Sequence, residues 1–532
     1  MPSLTLDGKK VDFQPGETII QAATRENVDI PYYCWHPRLS VAANCRMCLV
    51  EVEKAPKLMP ACQTAATEGM VVHTQNEKVK DAQRAVHEFL LVNHPIDCPI
   101  CDQAGECKLQ DYYMEYQLKP SRVIEHKVNK PRLEQLGPHV VYNAERCVVC
   151  TRCVRFMDEV AQNSQLGVFN RGDHSEIGCA PGTTLDDPYS LNTVDVCPVG
   201  ALTSTIFRFK QRAWNLKRSD SVCSGCARGC NVHVDQRSGV VYRLLPRDND
   251  AVNKAWLCDE GRLTYNRPNE GKITEALVRE GQDAPITTDG VAGLGKAVDL
   301  LKPLANAGMG VAASLSLHAT VEEAYVFGRF VKDVLQADTI AVLGLTPGSQ
   351  DDLLRVADKN PNRAGVMAVF ADLNLKPVDE RELMQRMKSG TVKAWLAVGH
   401  ETSFGPELAA AAKALEVVVH IAYARGPIAE VARVTLPAVS WVQTDGTWVN
   451  VQQRAQRLKV GFLPEHDAKP SHAWLMDIAS RLGVAYAWPS MTTLRAEIES
   501  QLPAFREVKL TQVPPTGTQL PWAVPAEAAS KI

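Results

Sequence analysis

The sequence predicts a multidomain chain of mixed α+β and α/β class, and three observations carry that expectation. Its 532 residues suffice for about three or four domains of roughly 100–200 residues each. All 16 cysteines lie between Cys34 and Cys258, so the chain changes character partway along. From about residue 290, short apolar runs alternate with helical stretches, the pattern of parallel strands joined by crossover helices. With 45% hydrophobic and 22% charged residues, a disordered or fibrous protein is excluded. The net charge of -3 gives no electrostatic reason to expect nucleic acid or an acidic membrane surface as partner. No stretch approaches the roughly 20 apolar residues of a membrane helix. Met1-Pro2-Ser3-Leu4 lacks the basic flank and apolar run of a signal peptide. The expectation is a soluble, cytoplasmic protein.

The elements follow in order. Residues 3–13 read as a hairpin, with Leu4 and Leu6 alternating, Asp7-Gly8 as a two-residue turn, and Val11 and Phe13 resuming. Thr18 to Arg25 has the apolar spacing Ile19, Ile20, Ala22, Ala23 of a short helix. Leu49-Val50-Glu51-Val52 reads as a strand. Residues 79–110 are helix-rich, with Val86, Phe89, Leu90 and Val92 on a helix that reaches His94-Pro95. Around 119–140 the polar, Pro- and Lys-containing chain reads as a linker. Further on, strands are expected at Gly310 to Ala313, Thr339 to Leu343, Ala394 to Val398 and Val417 to Ile421. Helices at Val321 to Leu335 and Pro406 to Leu415 separate them. After Gln512, Pro514, Pro515, Pro521 and Pro525 predict an extended or poorly ordered tail.

The cysteines carry the chemistry. In a reducing compartment, clustered Cys-x-x-Cys spacings read as metal sites and not as disulfides. Four groups emerge: Cys34, Cys45, Cys48 and Cys62; Cys98, Cys101 and Cys107, with His94 just upstream; Cys147, Cys150, Cys153 and the remote Cys197; and Cys223, Cys226, Cys230 and Cys258. Cys179 is left over, and a free thiol is the expected reading. Fifteen cysteines and one histidine supply four sets of four ligands. Structural zinc is the alternative, because such donor sets also suit a tetrahedral ion. Iron–sulfur is favoured by the triplet spacing and by Cys147 to Cys153 followed by a distant Cys197-Pro198, which matches a cubane-binding run.

Hairpin, helix and cysteine loop before a strand resemble a β-grasp ferredoxin domain, with the motif Cys34-x10-Cys45-x2-Cys48-x13-Cys62. Its gap of ten departs from the plant-type spacing of four and is similar to bacterial and respiratory-chain ferredoxin domains. Further motifs are Asn44-Cys45-Arg46-Met47-Cys48, His94-Pro95-Ile96-Asp97-Cys98-Pro99-Ile100-Cys101-Asp102-Gln103, Arg152-Cys153-Val154-Arg155-Phe156 and Cys197-Pro198-Val199-Gly200-Ala201-Leu202. Together they closely resemble the family of large iron–sulfur subunits of bacterial NADH:quinone oxidoreductase, respiratory complex I. The set Cys223-x2-Cys226-x3-Cys230-x27-Cys258 resembles an extra cubane found in some bacterial members. Beyond residue 270 the likeness is to the molybdopterin-enzyme fold, with Thr444-Asp445-Gly446-Thr447-Trp448-Val449-Asn450 as its best local match, and the region looks shorter than in most relatives.

The resemblance implies six segments. They are a 2Fe–2S ferredoxin-type domain (1–78), a helical 4Fe–4S domain with one histidine and three cysteine ligands (79–118), and a 4Fe–4S ferredoxin-like domain (119–215). A 4Fe–4S molybdopterin-oxidoreductase-type domain (216–270), a reduced molybdopterin-oxidoreductase-like α/β domain without cofactor (271–510) and a Pro-rich tail (511–532) follow. One 2Fe–2S and three 4Fe–4S clusters are expected, with His94 as fourth ligand beside Cys98, Cys101 and Cys107. The free ring nitrogen of His94 is expected to donate to a carboxylate or carbonyl. The implied role is an electron relay in a translocase, from a flavin- and NADH-oxidising subunit toward quinone, with no substrate site of its own. Partners are the flavin subunit and other peripheral-arm subunits, at the cytoplasmic side of the membrane and touching it only through the complex. The family's path runs from the 2Fe–2S centre through the third group to the histidine-containing group, with the fourth group off the path.

Two other classes stay open. A NAD-linked formate dehydrogenase shares the N-terminal array, but its molybdenum commonly takes a cysteine or selenocysteine, and no cysteine follows Cys258. A diaphorase chain of a NAD-coupled hydrogenase is the other. Gly290-Val291-Ala292-Gly293-Leu294-Gly295-Lys296-Ala297 falls one residue short of a P-loop, since Ala297 stands where Ser or Thr should bind Mg²⁺ and no buried strand precedes it. It is expected to be a loop running into a helix start. His318, His400 and His420 cluster with no second ligand in the sequence and are expected to be surface or core residues.

Overall fold

The computed structural model describes residues 1–116, 120, 122–281, 283–305, 310–399 and 405–521; His400 and Pro525 lie outside them. It divides into two compact units, Met1–Leu216 and Lys217–Ile532.

In the first unit, β1 (Ser3–Leu6) and β2 (Lys9–Asp12) form the expected hairpin. Asp7 and Gly8 both have positive φ, the requirement of a type I′ turn. Thr18 caps α1 (Ile19–Arg25), whose Ile19, Ile20, Ala22 and Ala23 are buried. With β3 (Leu49–Val52), β4 (Met59–Pro60) and β5 (Val71–His73) the sheet runs β2-β1-β5-β3-β4, with β1 and β5 parallel. Leu4, Leu6, Val11, Phe13, Val50 and Val72 pack on α1, the arrangement expected of a β-grasp domain. Next, α2 (Glu77–Leu91) is capped by Asn76, whose side chain accepts from the Val79 N–H at 3.0 Å. A single 3-10 turn at Cys98–Ile100 and α3 (Lys108–Tyr116) complete the helical segment.

The stretch expected as a linker carries β6 (Glu134–Gln135) and the start of β7 (Val140–Tyr142), which pair with β10 (Leu202–Ser204) in an antiparallel sheet. Between them lie α4 (Arg152–Glu159), the hairpin β8 (Gly167–Phe169) and β9 (Glu176–Gly178), and the one-turn α5 (Asn192–Asp195).

The second unit opens with the antiparallel meander β11 (Lys217–Val222), β12 (Asn231–Arg237) and β13 (Val240–Pro246), followed by α6 (Asp259–Leu263). Then β14 (Ala276–Val278) and β15 (Ile286–Thr288) form an antiparallel edge pair. A strand therefore does precede the P-loop-like segment, but as an exposed edge and not a buried phosphate-loop strand. That segment lies inside α7 (Gly290–Leu301), with Asp289 as its cap.

Parallel strands β16 (Val311–Ser316), β17 (Thr339–Leu343), β18 (Ala394–Val398), β19 (Val417–Ala422) and β20 (Val434–Pro437) join β14 and β15 in a seven-stranded sheet, order β15-β14-β20-β19-β18-β16-β17. The helices are α8 (Val321–Phe330), α9 (Arg363–Asp372), α10 (Glu380–Lys388) and α11 (Pro406–Ala412). Alternation along the strands separates two cores. Trp395 and Ala397 pack with Leu383, Met387 and Leu408, whereas Leu396 and Val398 pack with α8 and α9 residues such as Phe327 and Phe370. Both faces are covered, as a parallel sheet requires.

The helix expected over Val321 to Leu335 ends as α at Phe330 and finishes as a π turn, Val331–Leu335, closed by left-handed Gln336. Finally, β21 (Gly446–Val449), β22 (Arg454–Leu458), α12 (Ser471–Arg481) and α13 (Met491–Gln501) follow. The described part of the tail is extended, one of the two expected forms: β23 (Thr518–Gln519) pairs with β22, and Leu520 is buried. Pro514, Pro515 and Pro521 flank the paired residues, so no ladder N–H is lost.

Candidate metal-cluster sites

The first group lies on the loop between α1 and β3, and on the turn after β4. Ala43 and Arg46 adopt left-handed backbone around Cys45, curling the loop about it. The Cys34 N–H donates to Cys45 Sγ at 3.5 Å. Cys34 also meets the Cys45 and Cys62 thiols, and these hydrogen bonds depress its pKa. Cys62 meets both Cys34 and Cys48 and is pushed up by those contacts and by burial. The structure brings all four together.

Two arginines of the motif on α4 hold this loop. Arg152 Nη2 donates to the Trp35 carbonyl at 2.5 Å, and Arg155 Nη2 to the Cys34 carbonyl at 2.6 Å. Asn44 Nδ2 donates to the Val149 carbonyl at 3.2 Å. The helix that carries Cys153 therefore clamps the loop that carries Cys34.

The second group lines a cavity of about 470 Å³, whose walls include His94, Cys98, Cys101, Cys107, Asp97, Lys127 and Gly200. His94 follows the end of α2, and burial lowers its pKa to about 4, so the ring is neutral near pH 7 and able to ligate. Contrary to expectation, the ring makes no hydrogen bond to a carboxylate or carbonyl among the described residues. It is the His94 carbonyl that is engaged, by Lys127 Nζ. Burial raises the pKa of Cys101, and that of Cys107 to about 11.

At the third group, Val149 and Thr151 are left-handed, which turns successive side chains inward. Cys147, Cys150, Cys153 and Cys197 converge on a narrow pocket closed by Tyr142, Ile177, Val199 and Leu202. Burial pushes Cys147 and Cys150 up to about 11, and Cys153 well above its ordinary value. Cys179 does not line this pocket; its Sγ sits 3.8 Å from the Leu136 carbonyl.

The third and second groups share a wall. A Cβ on Gly200 would lie 2.2 Å from Cys101 Sγ, so only glycine lets the loop after Cys197 approach that thiol. The Lys108 N–H donates to the Pro198 carbonyl at 3.1 Å, fixing α3 to the same loop.

The fourth group sits in the second unit, where the Cys223 N–H donates to the Cys230 carbonyl at 2.8 Å. Cys258 Sγ caps α6, accepting from the Gly261 N–H at 3.3 Å. A Cβ on Gly261 would sit 2.9 Å from Cys223 Sγ and 3.2 Å from Cys258 Sγ, so those two sulfurs face each other across it. Burial pushes Cys223 up to about 12. The expected Thr444 to Asn450 segment braces this site: Asn450 Nδ2 donates to the Arg228 carbonyl at 3.1 Å, and the Val451 N–H to the Ala227 carbonyl at 2.7 Å.

Among the described residues, no three His, Cys, Asp or Glu side chains are arranged to hold a single metal ion. The donor sets suit iron–sulfur chemistry. Each gathers soft, buried or half-buried sulfurs whose ionised form needs positive charge beside it, and a neutral imidazole borders the set that has only three thiols. The bracing arginines and Gly200 stand inside the cysteine motifs, but their partners lie far along the chain, and spacing alone does not reveal such contacts.

Four family models match successive stretches. They are a 2Fe–2S iron–sulfur cluster binding domain (2–77), an NADH-ubiquinone oxidoreductase-G iron–sulfur binding region (83–122), the ferredoxin-like domain of NADH-quinone oxidoreductase subunit 3 (137–203) and an NDSU1/NuoG-like 4Fe–4S domain (216–266). The NADH-quinone oxidoreductase G subunit of Rickettsia bellii is 42% identical over 280 residues, covering 53% of this chain and 41% of that protein. The mitochondrial NADH-ubiquinone oxidoreductase 78 kDa subunit of Candida albicans is 44% identical over 280 residues, covering 52% and 39%. A solved chain from a NAD+-reducing NiFe-hydrogenase in the H2-reduced state covers 40% of this chain and 90% of that one, at 27% identity and a TM-score of 0.36. The matched part amounts to about two-fifths of each of the two sequence relatives. With one 2Fe–2S domain and several 4Fe–4S domains in unbroken order, the iron–sulfur half of this chain is similar to the corresponding part of NADH-quinone oxidoreductase G subunits.

Proposed function

We propose that this chain is an electron-relay iron–sulfur subunit of the peripheral arm of NADH:quinone oxidoreductase, working between a flavin subunit that oxidises NADH and the quinone-reducing end. The observation that carries the reading is the sequence of four gathered donor sets. In it Cys34, Cys45, Cys48 and Cys62 would hold a 2Fe–2S cluster. His94, Cys98, Cys101 and Cys107 would hold a 4Fe–4S cluster, as would Cys147, Cys150, Cys153 and Cys197, and Cys223, Cys226, Cys230 and Cys258. When bound, such clusters supply reversible one-electron chemistry at potentials set by charge, hydrogen bonding and burial. The protein's own part is to hold them apart from water and in fixed register. Arg152 and Arg155 tie the first set to the third, and the Cys197–Gly200 loop ties the third to the second. That linkage supports the order first, third, second. The fourth set, in the separate second unit, has a structural role in this reading.

The six segments proposed from the sequence, 1–78, 79–118, 119–215, 216–270, 271–510 and 511–532, belong to the same reading, as does a peripheral place on the cytoplasmic side. No helix among the described residues is long and apolar enough to cross a membrane. The 271–510 segment is a molybdopterin-oxidoreductase-like scaffold without cofactor. In support, the cleft at the carboxyl ends of β16, β18 and β19, where such a sheet receives ligands, holds about 40 Å³ between Trp441, Trp448 and Tyr423. That is room for a few waters. Glu323 already caps α8 there, accepting from the Thr320 N–H at 2.9 Å.

The test is anaerobic iron and acid-labile sulfide analysis of the purified chain, with about 14 irons expected. Near four irons, or stoichiometric zinc, would overturn the proposal. Release of a pterin on oxidation would overturn the scaffold part alone.

A further inference from the structure

A buried cation lies between the second and third donor sets. Arg146 is 4% exposed and immediately precedes Cys147, yet its side chain turns the other way, toward the second set. Its guanidinium is held in bidentate fashion by Asp97, with Nε to Oδ1 at 3.1 Å and Nη2 to Oδ2 at 2.6 Å. Asp97 immediately precedes Cys98. The Cδ of Arg146 lies 3.7 Å from the place a Gly200 Cβ would take, and Cys101 Sγ lies 2.2 Å from it. The backbone is equally fixed: the Arg146 N–H faces Asn143 Oδ1 at 3.3 Å, and the Asn143 N–H donates to the Ala201 carbonyl at 2.8 Å.

The pair is polar in a directed sense. Asp97 lines the cavity beside His94 and Cys98, while the Arg146 side chain comes up to the Gly200 position that Cys101 Sγ also approaches. Other charges are near: Lys127 lines the cavity, and Arg208 interacts with both Cys101 and Arg146. Arg146 is set apart by its burial and by its place in the chain, since one residue contributes a charge to one site and a ligand-bearing backbone to the next.

We propose that Arg146, oriented by Asp97, is a positioning residue that sets the reduction potential of the cluster in the second site, making it easier to reduce than its surroundings alone would. This rests on the iron–sulfur reading above. Reduction adds an electron, and a fixed cation in a poorly screened interior stabilises the more negative state. Removing the cation lowers the potential; removing its counter-anion raises it.

The experiment is a potentiometric titration of the intact chain followed by EPR, comparing wild type with Arg146→Gln, Arg146→Lys and Asp97→Asn. In Arg146→Gln the second cluster should become at least tenfold harder to reduce, about 59 mV for one electron. Arg146→Lys should keep most of the wild-type value, Asp97→Asn should move it upward, and the first-group potential should stay put in all three. Shifts of the same sign in Arg146→Gln and Asp97→Asn, or no shift in either, would overturn the proposal. If Arg146→Gln fails to hold the second cluster, Asp97→Asn and Arg146→Lys decide. If every variant loses that signal alone, the pair is only a brace and the proposal fails. A wild-type chain without cluster iron would instead refute the reading on which this rests.

Discussion

His94 and Cys179 make opposite claims on the same ligand position, and the geometry separates them. His94 borders the cavity that Cys98, Cys101 and Cys107 line, whereas Cys179 lies against the Leu136 carbonyl. We expect His94→Ala to abolish or reshape the EPR signal of the second cluster and Cys179→Ala to leave it intact. The reverse pattern would sink the ligand assignment. The closely spaced pairs, such as Cys98 and Cys101, stood out in the sequence because one loop can present both side chains to the same cavity. The Arg146–Asp97 pair spans 49 residues and the Arg155–Cys34 bond 121, and nothing local announces either. The ring partner expected for His94 was not legible either, and among the described residues no carboxylate or carbonyl takes that place.

Elements show the same division. Strands β3, β17 and β18 and the hairpin of β1 and β2 were legible from alternation and turn chemistry. The edge strands β14 and β15 were not, being three residues each and exposed in part. The Thr444 to Asn450 segment was visible as a motif but not as a junction. Its Thr447 N–H donates to Glu322 Oε2 at 2.8 Å, while Arg495 Nε donates to Glu322 Oε1 at 2.6 Å and Nη2 reaches Asp445 Oδ1 at 3.1 Å. Glu322 and Arg495 are both buried, so α8, β21 and α13 meet on one ion network. Arg495→Met should cost about 3–5 kcal/mol, because it strands a buried carboxylate. Adding Glu322→Gln should recover part of that loss in denaturant titrations. A loss below about 1 kcal/mol would show that the network contributes little.

For the molecule as a whole, acid is the expected weakness of the second unit. Burial lowers the pKa of His318 and His420 to about 3, against about 6.5 in an unfolded chain. Between those values the unfolded state binds more protons, so stability is full above about pH 6.5 and declines as pH falls toward 3. The slope is up to about 1.4 kcal/mol per pH unit for each ring. Urea midpoints measured from about pH 7 to about pH 4 should fall accordingly, and His420→Leu should flatten the profile. A midpoint indifferent to pH would contradict it.

The third donor set is enclosed by Tyr142, Ile177, Val199 and Leu202, whereas the second opens on a roomy cavity. That difference in enclosure is a difference in lifetime. A chelator needs a path to its metal, so loss at the third site must wait for the protein to open locally, while loss at the second need not. Incubated with a strong iron chelator, the second cluster's signal should fade first and the third's should decay only at the rate at which the chain itself breathes.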